Sequence, residues 1–201
     1  MKLSRLSFAF IFIVALSACS GGGKKVLIMA SGKVTVNDND PKQITFAPGT
    51  THNEKEVMLE ASGKETLTVQ GPQGSKTYDV GEAGHYILNL KTDTLVGGIV
   101  NYGAGNRTSN LTGEDVDRMI DSTQLLITGE NVSDDKKTYF IPPNTLKKIS
   151  ANIESKIVGP YNNIPGSIDV NSSGKGPELY KLYTSKQKRE SLEELIRERK
   201  K

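Results

Sequence analysis

His52, Glu54 and Glu56 stand at alternate positions in His52-Asn53-Glu54-Lys55-Glu56. On a β-strand successive side chains point to opposite faces, so these three project from one face, where an imidazole and two carboxylates could ligate zinc or another divalent ion. Charged residues are usually exposed. The competing expectation is therefore a solvated strand face, with Val57 and Leu59 starting the buried register. The other histidine, His85, follows Gly84 and opens the apolar run His85-Tyr86-Ile87-Leu88-Asn89-Leu90. An imidazole titrates near neutrality and suits general-base work. No nucleophile motif accompanies it, so a turn or strand-end role is favoured.

Other polar groupings carry less. Asn37-Asp38-Asn39-Asp40 has the acids and amides of a calcium loop, without the central glycine and distal glutamate an EF-hand needs, and reads as a turn. Gly103-Ala104-Gly105 is not followed by the Lys-Ser/Thr pair of a phosphate loop and reads as a linker. The chain contains neither a G-x-S-x-G elbow nor an H-E-x-x-H helix. No catalytic residue, metal ligand or cofactor site is assigned, and the expectation leans away from an enzyme.

The one cysteine has a more specific context. Lys2 and Arg5 form a positive start, and residues 6–16 are apolar except for Ser7. A run of about 11 residues falls short of the ~20 that span a bilayer as a helix, so it reads as a signal peptide. It ends in Leu16-Ser17-Ala18-Cys19. This tetrapeptide resembles the lipobox of bacterial lipoproteins at all four positions. The resemblance implies a diacylglycerol on the Cys19 thiol, cleavage before Cys19, and acylation of the new amino terminus in a Gram-negative host. It covers about a tenth of the chain and implies nothing about the folded part. Ser20 in place of Asp, with no acidic cluster after it, is similar to sorting patterns for the periplasmic side of the outer membrane. Two or more acyl chains anchor stably, where one binds marginally.

Removing residues 1–18 from 201 leaves 183, enough for one ordinary domain or two small ones. The full chain carries 26 Lys+Arg and 23 Asp+Glu, a net +3; without Lys2 and Arg5 the balance is 24 against 23. A nearly neutral chain gives no nucleic-acid footprint. Lipidation of Cys19 leaves no thiol for a disulfide or a thiolate ligand.

These residues must be positioned by β structure. Val34/Val36, Ile44/Phe46, Val57/Leu59, Leu67/Val69 and Tyr78/Val80 alternate with polar residues, while 26–29, 85–90 and 95–102 are continuously apolar. Such runs at ~10-residue spacing, punctuated by Gly- and Asn-rich turns, predict a mainly β fold, an immunoglobulin/transthyretin-like β-sandwich over 26–103. After a boundary at 103–110, residues 111–201 read as a smaller α/β region with a C-terminal helix. Thr112 and Asp115 predict a helix start, with Val116, Met119 and Ile120 as its stripe and an end near Ser122. Residues 125–127, 138–141, 156–161 and 167–170 read as short strands. From Pro177 onward the apolar patches Leu179/Leu182/Tyr183 and Leu192/Leu195/Ile196 predict one kinked helix or two, with Thr184 and Gln187 at capping spacing. The sequence thus divides into a signal peptide (1–18), a lipidated start and tether (19–25), a β-sandwich-like domain (26–103) and an α/β region (111–201). Its expected partners are the membrane through Cys19 and an envelope protein through the charged C-terminal helix.

Overall fold

The computed structural model describes residues 22–100, 112–166 and 176–200. Among these residues ten strands and two helices follow one another as β1 (Lys24–Asn37), β2 (Asp40–Leu59), β3 (Glu65–Gly71), β4 (Gly74–Val80), β5 (Gly84–Leu90), β6 (Leu95–Ile99), α1 (Gly113–Thr128), β7 (Thr138–Ile141), β8 (Thr145–Ser150), β9 (Lys156–Val158), β10 (Leu179–Thr184) and α2 (Ser185–Arg199). The fold is mainly β. Its strands form a six-stranded sheet, ordered β4-β3-β2-β1-β5-β8, and a four-stranded sheet, ordered β7-β6-β10-β9.

Two packed sheets were expected, but residues 24–90 do not divide between them. They build one sheet, with parallel pairs β1–β5 and β2–β3 that an immunoglobulin sandwich of antiparallel strands lacks. Each sheet also draws strands from both sides of residues 101–111: β8 closes the first, and β6 belongs to the second.

Curling of the first sheet follows from its alternation. Val26, Ile28, Ala30, Val57, Leu59, Leu67, Val69, Tyr78, Val80, Tyr86, Leu88 and Leu90 point inward and pack on one another, so the sheet is nearly barrel-shaped. Lys76 Nζ on β4 reaches the Asn144 carbonyl beside β8 at 2.8 Å and links the two edges. The outward set Leu27, Met29, Ile87 and Ile149 meets Leu95, Tyr139, Ile141, Tyr180 and Leu182 of the second sheet. β5 is buried along its whole length because it serves both cores, which is why it reads as a continuous apolar run.

The curl has a closed and an open end. At the closed end Lys24 is fully buried, and its ammonium donates to the carbonyls of Glu60 (3.1 Å) and Gly63 (2.7 Å). Gly22 and Gly23 enter here, beside Ala83, Met58 and Gly84. At the other end β1 is interrupted. Its register on β2 jumps from Ser31↔His52 to Gly32↔Pro48, leaving residues 49–51 unpaired. Gly32 has φ +126° and a Cβ there would lie 2.2 Å from the Ala47 carbonyl oxygen, so only glycine fits this irregularity.

The helices correct three readings. α1 does start from a Thr112/Asp115 capping box, yet it runs on to Thr128 and takes in Leu125-Leu126-Ile127, read as a strand. It stops at Gly129, whose left-handed φ of +81° lets its N–H return to the Leu125 and Leu126 carbonyls. The patch Leu179/Leu182/Tyr183 is strand β10 rather than helix, and a single helix α2 follows from the Thr184/Gln187 capping box. The segment 156–161 keeps only β9 as strand. α2 docks on α1 and β10, with Leu192, Leu195 and Ile196 half-buried and a two-point Arg199–Asp117 ion pair at 3.0 and 3.2 Å. Among the described residues no helix is long and apolar enough to cross a membrane. Cys19, Gly103-Ala104-Gly105 and the expected strand 167–170 lie outside the described residues.

Candidate functional site

β2 presents His52, Glu54 and Glu56 on the outward face, opposite Ser31, Met29 and Leu27 of β1. They do not converge on one point. Lys91 Nζ lies 3.1 Å from His52 Nδ1, and an ammonium can only donate, so Nδ1 accepts. The imidazole proton is therefore on Nε2, which donates to Glu54 Oε1 at 2.8 Å. Glu54 Oε2 accepts from Asn162 Nδ2 at 3.0 Å, while Glu56 turns to Lys25 at 2.9 Å. Both imidazole nitrogens are occupied, and among the described residues no three His, Cys, Asp or Glu side chains gather as a metal set.

What assembles around His52 is a clamp. The Tyr161 ring meets the His52 ring edge-on at 4.8 Å, with the Lys91 ammonium 5.2 Å from the Tyr161 centroid. Lys181, also buried, donates to the carbonyls of Gly159 (2.5 Å) and Asn162 (2.7 Å). Burial pushes both ammonium groups below the usual lysine range, opposed by the Glu54 charge. Two desolvated cations thus hold the segment 159–162 against β2, β5 and β10.

His85 is buried at 2 % exposure at the start of β5, the strand-end position expected. Nδ1 is 3.0 Å from both the carbonyl oxygen and the hydroxyl of Ser155; a carbonyl only accepts, so Nδ1 carries the proton. Nε2 is buried without a partner among the described residues. Burial, reinforced by the Lys25 charge, pushes the group down to about 4. A shielded imidazole with no reachable substrate atom is a poor general base. Asn37 to Asp40 is the β1–β2 turn, fixed by Asn39 N–H to Asn37 Oδ1 (2.9 Å) and Lys42 N–H to Asp40 Oδ1 (3.1 Å).

The cavities among the described residues include two with space for a ligand. One, about 380 Å³, lies between β7, β8 and β10 and is floored by Tyr139, Ser150, Glu178 and Tyr180. Glu178 accepts from Ser150 Oγ (2.6 Å) and Tyr180 Oη (2.9 Å), and pairs with Lys137. Burial pushes its carboxyl up, but these three donors outweigh it and hold it below the usual range. A carboxylate so stabilised is a weak base toward the Ser150 hydroxyl.

The larger cavity, about 540 Å³, is the open mouth of the curled sheet. Phe46, Val69, Tyr78 and Leu90 line its depth, where the inner core comes to the surface. Its rim is formed by the Gly32 irregularity, the β3–β4 turn and the approach to β8, bringing Ser31, Pro48, Gln73, Ser75, Lys76 and Asn144 together. No family model, curated protein or solved structure matches the chain. The site therefore stands on its own geometry. A mouth of this volume, apolar within and polar at the rim, has the build of a small-molecule site. Phe46, Val69, Tyr78 and Leu90 were legible as strand residues, and none of the lining was singled out as a site. The lining residues come from five separate strands, β1 to β5, and two turns, and only the glycine-bearing turns, read as punctuation between strands, marked part of the rim.

Proposed function

We propose that this chain is a lipid-anchored bacterial envelope protein, held through Cys19 at the periplasmic side of the outer membrane, whose folded part is a non-catalytic binding module. The lipobox supports the anchor, and the mouth of the curled sheet supports the binding role. The observation that carries the reading is their disposition. Residues 22–23 enter at the closed end, level with Lys24 and Gly84, while the mouth opens beyond Ala30 and Leu90. Six residue steps along β1 separate the two ends, about 20 Å at a strand's rise of ~3.3 Å per residue. An anchor at the closed end turns the mouth toward the aqueous compartment. The charged outer side of α2 is the surface left for an envelope protein.

Two measurements test this. Alkyne-tagged fatty acid fed to producing cells labels the wild-type chain, while Cys19→Ser is unlabelled and leaves the membrane fraction; equal labelling of both sinks the anchor. Periplasmic small molecules that raise the melting temperature of the detergent-purified full chain lose that effect in Phe46→Trp, which enlarges an inward side chain and fills the mouth. Undiminished stabilisation in that variant removes the mouth as the site.

A further inference from the structure

We infer that the mouth of the curled sheet takes a small organic anion, one negative charge on a flat apolar body. This rests on the reading of the mouth as a ligand site. Among the described residues the lining contains two lysines and no Asp or Glu. The two lysines differ in what they have left to give. Lys91 is engaged on the outward face, where His52 accepts from its ammonium 3.1 Å away and Glu54 lies nearby. Lys76 stands on the inward side of β4 with Tyr78. Its ammonium lies 5.0 Å from the Tyr78 ring centroid and donates to the Asn144 carbonyl at 2.8 Å.

Among the described residues Lys76 forms no ion pair. An ammonium has three donors, so one bond to Asn144 leaves two for an incoming oxygen. One uncompensated cation at the rim matches one negative charge and disfavours a polyanion. Below it Phe46 and Tyr78 supply aromatic surface and Val69 and Leu90 aliphatic surface, which suits a planar apolar body. The Gln73, Ser75 and Asn144 rim can hydrogen-bond the second oxygen of a carboxylate.

The test is a titration of the ¹⁵N-labelled full chain in detergent micelles with 2-naphthoate and with its neutral counterpart 2-naphthylmethanol, read at protein amides. Expected are naphthoate-induced shifts confined to residues 71–78, 46–49, 90–92 and 144. The alcohol binds the same amides more weakly. Lys76→Met weakens naphthoate about tenfold, the loss of one charge-assisted hydrogen bond, and leaves the alcohol unchanged. Lys76→Arg, which keeps the charge, restores naphthoate binding. Equal binding of both probes, or naphthoate binding indifferent to Lys76→Met, overturns the anionic class while the mouth stands as a site. No shift at the mouth with either probe overturns both.

Discussion

Replacing His85 by asparagine should flatten the acid limb of the protein's stability curve. In the fold His85 is neutral, with Nδ1–H held by Ser155 and Nε2 buried unpaired among the described residues. Its pKa is pushed from 6.5 down to about 4, first by burial and then by the Lys25 charge. The unfolded chain thus binds the extra proton at a higher pH than the native one. The sign is fixed: where the unfolded state binds more protons, stability rises with pH. The contribution is complete above about pH 6.5 and is lost as pH falls toward about 4. A shift of this size corresponds to at most about 3.5 kcal/mol at ~1.4 kcal/mol per unit. Solvent screening of the Lys25 contribution lowers this to about 2 kcal/mol. His85→Asn keeps a donor for the Ser155 carbonyl and does not titrate. Urea unfolding, followed by circular dichroism because the chain has no tryptophan, should be run on both proteins between pH 4 and 8. The wild type loses about 2 kcal/mol more than His85→Asn across that range. Parallel curves would refute the burial argument, as would a His85 Cε1–H resonance titrating at or above pH 6.

Lys24→Ala removes the buried ammonium from the Glu60 and Gly63 carbonyls and empties the closed end. It should cost about 2–4 kcal/mol in the same unfolding assay. Gly97 pairs with Leu182 in the antiparallel β6–β10 ladder, and a Cβ there would sit 2.0 Å from the Lys181 carbonyl oxygen. Gly97→Ala must shift one strand, so it should destabilise by about 1–3 kcal/mol; a neutral result would contradict the close approach. His52→Ala leaves the buried Lys91 ammonium without its acceptor and frees the clamp on residues 159–162. It should cost about 1–3 kcal/mol and raise amide exchange around Asn162.

Much of the fold was legible because one face of each strand is buried. The pairs Ile44/Phe46, Val57/Leu59, Leu67/Val69 and Tyr78/Val80 alternate because their partners point into the curl. Thr112 and Thr184 announced their helices through side chains that satisfy the first-turn N–H groups, a local chemistry. The misreadings fell on short apolar pieces, where period alone does not separate strand from helix. Leu125-Leu126-Ile127 is the last turn of α1. Leu179, Leu182 and Tyr183 have helical spacing, yet β10 is an inner strand of its sheet and buries even Lys181. That buried lysine disguised a continuous strand as an amphipathic one. Sheet order was beyond reach for a different reason. The pairings β1–β5 and β5–β8 join segments tens of residues apart, and nothing local encodes them. The mouth inherits that: Phe46, Lys76, Leu90 and Asn144 become neighbours only once the sheet has curled.

Under the proposed anchoring the closed end lies at the membrane and the binding mouth faces away from it. Cys19 is the only native cysteine, and lipidation would consume it, so a cysteine introduced at Met58 or at Gln73 gives one labelling site. Met58 is exposed beside the entering chain, and Gln73 stands on the rim. With a fluorophore at each position and a short-range nitroxide quencher on lipid headgroups, the proteoliposome measurement compares the two ends directly. Strong quenching at Met58→Cys with little at Gln73→Cys is the predicted result. Equal quenching at the two sites, or stronger quenching at Gln73→Cys, would contradict it.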